Sequence, residues 1–169
     1  MSKQDISYED LIIVKLSSNH DLTGFRCDDD LDEFIQLDAL PQRDDRLNQT
    51  YVCKYEEEII AFFTVSADSV KINRKDKKRL GVNYPDFPAI KIGRLAFHED
   101  YKGRHVGGTI IMYVIGLALK LGEEVGVRFI SVDAYRGIEK FYEKNFFVEL
   151  AECEDKHLAM YTDLEIWVA

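Results

Sequence analysis

The residues best suited to chemistry lie in one short turn, Lys102–Gly108, whose sequence is KGRHVGG. This turn carries cations and no acid, and an apolar run that predicts a mostly buried helix leads from it to Leu121. The first amides of a helix have no internal carbonyl partner and carry partial positive charge, and glycines let an anion approach them closely. The turn therefore predicts a phosphate or diphosphate site, where Lys102 and Arg104 add charge.

The stretch around this turn resembles motif A of the GNAT superfamily of acetyl-coenzyme A-dependent N-acyltransferases. The motif reads Gln/Arg-x-x-Gly-x-Gly/Ala after a buried strand, here the run from Ile90 to Phe97. Lys102 stands at the Gln/Arg position, His105 at the first glycine and Gly107 at the second. The resemblance implies acetyl-coenzyme A (acetyl-CoA) as co-substrate.

Two shorter strings are similar to one branch of that superfamily, the TacT-type toxins that acetylate aminoacyl-tRNA. One is IGRLAF, at Ile92–Phe97, preceded by Pro88-Ala89-Ile90. The other is FRCDDDLDEFI, at Phe25–Ile35, which resembles Phe-x-Cys-Gly-x-x-x-Leu-Asp-x-Phe-Leu with Asp28 in place of the glycine. The resemblance extends from Phe25 to about Leu150.

The resemblance also implies where acetyl-CoA would bind. The pantetheine and acetyl group would contact the strand backbone at Leu95, Ala96 and Phe97, whose side chains alone indicate core. A side chain at position 105 would either crowd the diphosphate or, when protonated, help to bind it. The pyrophosphate would lie on the turn and the first helical residues, which are Lys102, Gly103, Arg104, His105, Val106, Gly107, Gly108 and Thr109.

Tyr142 is the predicted catalytic residue. The segment VDAYRGIEKFYEKNFFVEL resembles the GNAT segment that ends in Phe-Tyr-Glu-Lys-x-Gly-Phe, with Phe146 at the glycine. In many members this tyrosine protonates the departing coenzyme A thiolate, and a phenol of unperturbed pKa about 10 needs little tuning for that task. The alternative is an aromatic residue that packs with Phe141 and Ile138 while its hydroxyl reaches water.

Other candidate groups give weaker patterns. His98, just beyond the motif A strand, is a candidate general base, although a histidine at a strand end is more often structural. Arg94 is expected to form a structural ion pair, with contact to an acidic or RNA substrate as the alternative. The four histidines have no metal-ligand spacing, so the sequence predicts no metal site.

The elements that must position these groups alternate along the chain. A helix starts near Leu31 after an acidic cap, a polar segment follows a break at Pro41, and Gly122 ends the motif A helix in the left-handed conformation. A second short helix covers Gly137–Asn145. The predicted strands are Leu11–Leu16, Thr50–Tyr55, Ile59–Val65, the motif A strand, Arg128–Ala134, Phe146–Leu150 and Leu158–Ile166.

This order predicts a mixed α/β (α+β) domain with the GNAT fold. We expect a single, mostly antiparallel sheet flanked by helices, with a parallel pair where the motif A strand meets the strand that begins at Arg128. A chain of 169 residues is the size of one domain, so residues 1–169 are predicted to form a single N-acetyltransferase domain.

Composition indicates a soluble protein. No charge-free run of about 18 apolar residues could cross a bilayer, and the first residues lack the apolar core of a signal peptide, which predicts a cytoplasmic protein. The net charge of −9 argues against nucleic-acid binding by the whole surface. One segment, Lys71–Pro88, is locally basic: its cationic part, Lys71–Arg79, is either a solvated face or a contact for substrate RNA or an acidic partner.

Three functions fit these patterns. The first is direct acetyl transfer from acetyl-CoA to a primary amine on a small molecule or protein, with Tyr142 as general acid. The second is a TacT-like toxin that acetylates aminoacyl-tRNA, contacts tRNA through Lys71–Arg79 and has an antitoxin partner. The third is a non-catalytic acyl-CoA-binding or interaction domain, for which His105 and Phe146 leave room. GNAT proteins are often dimers, so a homodimer is a further expectation.

Overall fold

Strands and short helices alternate along the part of the chain that the computed structural model describes, residues 3–150 and 156–168. The strands are Leu11–Lys15 (β1), Gln49–Tyr55 (β2), Glu58–Val70 (β3), Phe87–Phe97 (β4), Phe129–Tyr135 (β5), Val148–Glu149 (β6) and His157–Asp163 (β7). The α-helices are Asp29–Glu33 (α1), Ala39–Asp44 (α2), Arg74–Leu80 (α3), Val106–Leu121 (α4) and Glu139–Lys144 (α5). A π-helical turn covers Phe34–Asp38, and 3-10 turns cover Tyr8–Asp10, Glu99–Tyr101 and Leu164–Trp167.

The chain divides into two compact units, and β3, β4 and α4 each run through both. The first unit comprises Met1–Ser66 and Gly93–Ile110, and the second comprises Ala67–Ile92 and Ile111–Ala169. The strands follow the order β1-β2-β3-β4-β5-β7-β6. The pairs β1–β2, β2–β3, β5–β7 and β6–β7 are antiparallel and β4–β5 is parallel, which confirms the predicted sheet. That residues 1–169 form a single domain stays a prediction.

In the first unit, a hairpin joins β2 to β3. Its turn places Glu56 in the left-handed region, with φ of 53°. Beside the sheet, a buried apolar cluster connects the helical run to the strands and includes the end of β4, so it supports the strand residues that precede the candidate phosphate turn. Its members are Leu16, Phe25, Phe34, Ile35, Ala39, Val52, Phe62 and Ala96.

The helical run of the first unit differs from the prediction, because it continues through Pro41. Proline has no N–H to donate, and its ring crowds the carbonyl four residues earlier. Directly before α2, however, the Ala39 N–H bonds to the Phe34 carbonyl, five residues back, which is the wider π-helical spacing. This wider turn directly precedes the α-helix that contains Pro41.

In the second unit, the parallel pair is formed by Ala89–Ile92 and Phe129–Val132. The basic segment forms α3, which begins where the Asn73 side chain accepts a hydrogen bond from the Asp76 N–H. The helix ends at Gly81, which has φ of 69°. A buried cluster under α3 and the strands contains Val70, Ile72, Phe87, Ala89, Phe129 and Tyr161.

Several predicted ends of elements are wrong. Gly122 is not left-handed, because the chain makes a further helical turn after it, in which the Val125 N–H bonds to the Leu121 carbonyl at 2.9 Å. The last strand ends at Asp163, whose side chain accepts from the Glu165 N–H and starts a 3-10 turn. Among the described residues, no helix is long and apolar enough to span a membrane.

Candidate active site

The end of β4 is held close to β3 by a glycine. A Cβ atom at Gly93 would lie 2.9 Å from the Thr64 hydroxyl oxygen, closer than side-chain atoms normally approach. That hydroxyl also accepts a hydrogen bond from the Arg94 N–H at 3.0 Å. The predicted pantetheine contacts, Leu95–Phe97, follow directly, with Ala96 buried and its two neighbours half-buried. Gly93 therefore sets the position of the strand that carries them.

Arg94 has a structural contact of a different kind from the predicted ion pair. Its guanidinium carbon lies 3.9 Å from the centroid of the Phe34 ring, which is within cation–π range. Phe34 belongs to the buried cluster of the first unit. Arg94 thus connects β4 to the helical run through a ring rather than through a carboxylate.

The turn between β4 and α4 contains two left-handed residues. Gly103 has φ of 75° and His105 has φ of 62°. Such a conformation costs an L-residue with a side chain roughly 1–2 kcal/mol. His105, at the first glycine position of the motif, therefore adopts a conformation that glycine adopts more readily, and α4 begins at the next residue, Val106.

Arg104, predicted to bind the pyrophosphate, is engaged within the protein. Its Nε–H donates to the Gln4 carbonyl at 2.7 Å. Its guanidinium carbon lies 5.7 Å from the Tyr55 ring centroid and 5.2 Å from that of Tyr101. These contacts fasten the turn to the N-terminal segment and to the β2–β3 hairpin.

Two other side chains of the turn, Lys102 and His105, each have an acidic partner. The Lys102 ammonium lies 3.7 Å from an Asp28 carboxylate oxygen. His105 Nδ1 lies 2.7 Å from an Asp5 carboxylate oxygen. All four side chains are largely exposed, so each contact contributes little to stability.

The backbone amides that begin α4 have fewer contacts within the protein than the side chains of the turn. Val106 and Gly107 are buried, Gly108 is half-buried, and all three are in the first turn of a 16-residue helix. Helix geometry leaves their N–H groups without intrahelical carbonyls. Diphosphate binding by the predicted residues Lys102–Thr109 stays a prediction, and these amides are the groups that fit it best.

Tyr142 lies on α5 in the second unit and is 3% exposed. Its ring packs edge-on against Phe141 at 5.0 Å and Phe147 at 5.4 Å between centroids. Burial raises the pKa of the Tyr142 hydroxyl well above its ordinary value, because the phenolate would lose its hydration. The group therefore stays protonated at neutral pH.

The Tyr142 hydroxyl makes no hydrogen bond to another described residue. A protonated hydroxyl without a protein acceptor among these residues can donate its proton to a ligand that reaches it. Its role as the catalytic acid stays a prediction.

Phe146, at the glycine position of the family segment that contains the tyrosine, is also left-handed, with φ of 68°. The next N–H, that of Phe147, bonds to the Tyr142 carbonyl at 3.0 Å and closes the turn after α5. The Phe146 ring is 63% exposed and lies edge-on to Trp167. The turn that follows Tyr142 is therefore formed without a glycine.

His98 is structural. Its Nε2 lies 2.9 Å from the Gly24 carbonyl oxygen, and its Nδ1 accepts from the Asp100 N–H at 3.1 Å. A neutral ring with its proton on Nε2 satisfies both contacts, which leaves no nitrogen for a substrate. Among the described residues, no group of three or more His, Cys, Asp and Glu side chains could hold a metal ion.

The N-terminal segment Lys3–Ile6 also contacts the turn, which the sequence did not predict. Ile6 is 6% exposed, and its N–H donates to the Arg104 carbonyl at 3.1 Å. Asp5 reaches His105, as described above. The segment has no apolar periodicity and no motif, so its contact with the turn had no signal in the sequence.

Comparisons with known proteins find relatives over most of the chain. Residues 16–146 match the model of the Acetyltransferase (GNAT) family. A tRNA-acetylating toxin of Mycobacterium tuberculosis (strain ATCC 25618 / H37Rv) is 24% identical over 148 residues, which cover 86% of this chain and 89% of the toxin.

Solved structures share the fold. AtaT complexed with acetyl-methionyl-tRNAfMet superimposes with a TM-score of 0.82 at 19% identity, over 94% of this chain and 97% of that one. A mutant AtaT toxin bound to acetyl-CoA and to the C-terminus of the antitoxin AtaR gives 0.75 at 20% identity, over 94% and 98% of the two chains.

Proposed function

Because this chain belongs to the acetyltransferase (GNAT) family, an acetyl-CoA-dependent group, we propose that it transfers acetyl to the amino group of an aminoacyl-tRNA. We propose this acceptor because the chain is similar, over most of both chains, to a tRNA-acetylating toxin. The aminoacyl group offers a primary amine of the kind predicted from the sequence. Such a substrate would place the protein in the cytoplasm.

The proposed reaction is a direct transfer. The neutral amine attacks the thioester carbonyl, its nitrogen forms the new C–N bond, and the C–S bond breaks. Tyr142 donates its proton to the leaving thiolate, while the amine loses its own proton to water. Because the pKa of Tyr142 is raised, the hydroxyl is fully protonated before the reaction.

The donor would bind as the motif implies. The strand backbone at Leu95–Phe97 would contact the pantetheine, and the amides that begin α4 would bind the diphosphate. Gly103 and Gly107 leave room for close approach. The ion pair of Lys102 is exposed enough to open when an anion arrives.

The tRNA would contact the basic helix α3 in the second unit. Arg74, Lys75 and Lys78 are exposed, and no carboxylate among the described residues pairs with them. Spacings of one, three and four residues on a helix keep these side chains within a 100° arc of one face. A free basic face on a chain of net charge −9 favours a local phosphate contact.

A second candidate acceptor is a cationic small-molecule or protein amine. The net charge of −9 favours it, because an acidic surface attracts cations. Family membership favours either enzyme over a non-catalytic domain. An antitoxin partner is proposed on the same similarity as the acceptor, and the homodimer stays a prediction.

An acceptor competition tests the proposal. Radiolabelled acetyl-CoA is supplied with bulk aminoacyl-tRNA, with deacylated tRNA, and with polyamines and peptides of equal amine concentration. We expect label on aminoacyl-tRNA alone. Label on a small amine and none on tRNA would replace the toxin-like reaction by the second candidate.

A further inference from the structure

The N-terminal segment Lys3–Ile6 lies outside the stretch that matches the family, which begins at residue 16. We infer that this segment is a brace that orients the His105 amide towards the diphosphate of acetyl-CoA. The inference rests on the proposed donor site. It adds a positioning role for residues that precede all of the motifs.

The brace is anchored at several points. The Ile6 N–H donates to the Arg104 carbonyl at 3.1 Å, and the Arg104 Nε–H donates to the Gln4 carbonyl at 2.7 Å. The Lys3 ammonium donates to the Asp100 carbonyl at 3.0 Å. Ile6 is buried, so the segment is also held by packing.

These bonds fix the direction of one amide. A trans peptide is planar, so its C=O and N–H point in opposite directions, and the described residues contain no cis peptide bond. Since the Arg104 carbonyl points to Ile6, the N–H of the next residue, His105, points away from the brace. Within the described residues, that N–H donates to no protein acceptor.

His105 gives the brace a further contact that glycine could not give. Its Nδ1 lies 2.7 Å from the Asp5 carboxylate. The histidine side chain is 80% exposed and the aspartate 60%, so the pair is a weak latch rather than a major source of stability. The departure from the family glycine is thereby linked to a segment outside the family match.

The main test removes the hydrogen-bond donor of the brace. Ile6→Pro eliminates the N–H, while the matched control Ile6→Ala keeps it and removes most of the side chain. We expect Ile6→Pro to bind coenzyme A about fivefold more weakly than Ile6→Ala in isothermal titration calorimetry, the effect of one hydrogen bond. Equal affinities in the two variants would overturn the inference.

A second donor separates positioning from damage to the fold. S-acetylpantetheine has no diphosphate, so kcat/KM with this donor should be equal in Ile6→Pro and Ile6→Ala. With acetyl-CoA, KM should rise in Ile6→Pro while kcat is unchanged. An equal loss with both donors would overturn the inference, because the substitution would then act on the whole site.

Asp5→Ala gives an independent variant that leaves the backbone bonds in place. The brace predicts about two- to threefold weaker coenzyme A binding when the latch is lost, as expected for an exposed pair. Tighter binding would overturn the inference, since Asp5 would then be a competitor of the diphosphate. No coenzyme A binding by the wild type would instead overturn the proposed function as well.

Discussion

The basic face of α3 gives the most quantitative prediction. We consider the triple substitution of Arg74, Lys75 and Lys78 by Gln, which removes the exposed cations without a carboxylate partner. Lys71 is excluded because it lies 3.8 Å from an Asp86 oxygen, and Arg79 because it lies 3.4 Å from Asp76 and donates to the Tyr161 hydroxyl. At most three phosphate contacts should therefore disappear.

The magnitude follows from counterion release. Each phosphate contact contributes about 0.9 to the slope of log affinity against log salt on a duplex and about 0.7 on a single strand. Loss of three contacts should lower the slope by roughly 2–3. Between about 50 and 200 mM salt, wild-type affinity should then fall about 15- to 60-fold more than that of the variant.

Filter binding of aminoacyl-tRNA across a range of KCl concentrations measures this slope. The control replaces Lys15, Lys120 and Lys156 by Gln, which makes the same change in net charge at exposed positions outside α3. We expect the control slope to stay close to the wild-type slope. Lys71→Gln should lower the slope by less than the contribution of one phosphate contact. Equal slopes for the α3 variant and the control would refute α3 as the tRNA contact.

Two further predictions concern β4 and Tyr142. Gly93→Ala should destabilise the fold by about 1–3 kcal/mol, because its Cβ would meet the Thr64 hydroxyl. The control Gly116→Ala, with nothing within 4 Å of its Cβ, should stabilise the fold by about 0.5–1 kcal/mol. Denaturant unfolding measures both changes, and equal effects would contradict the close approach of β4 to β3. Because burial raises the pKa of Tyr142, its hydroxyl should stay protonated to at least pH 10. We therefore expect no decrease in kcat below that pH from deprotonation of this group. A decrease in kcat that is present in wild type and absent in Tyr142→Phe would contradict the prediction.

Much of the fold could be predicted, because its signals are local. Alternating apolar runs gave the strands, and the parallel pair followed from the position of the glycine-containing turn between a strand and a long helix. The continuation of the helix through Pro41 could not be predicted, because it depends on a π-helical turn that no local pattern marks. The predicted left-handed conformation of Gly122 was wrong, because a glycine permits that conformation without requiring it.

The candidate site was predictable only in part. Motif positions pointed to the turn and to Tyr142, but the partners of the side chains in the turn come from distant stretches. Arg104 bonds to Gln4, and His105 contacts Asp5. Likewise, the stacking of Arg94 on Phe34 depends on tertiary packing across 60 residues of chain. Charge patterns show that a partner is needed, and only the fold shows which one is present.

The most direct test of the central claim is single-turnover transfer of radiolabelled acetyl from acetyl-CoA to aminoacyl-tRNA, with wild type beside Tyr142→Phe. Calorimetry with coenzyme A controls for donor binding, which the substitution should leave unchanged. The account predicts label on the aminoacyl group and a rate at least about 100-fold lower in the variant, the range of one general acid. No label in wild type despite donor binding, or an equal rate in the variant, would contradict it.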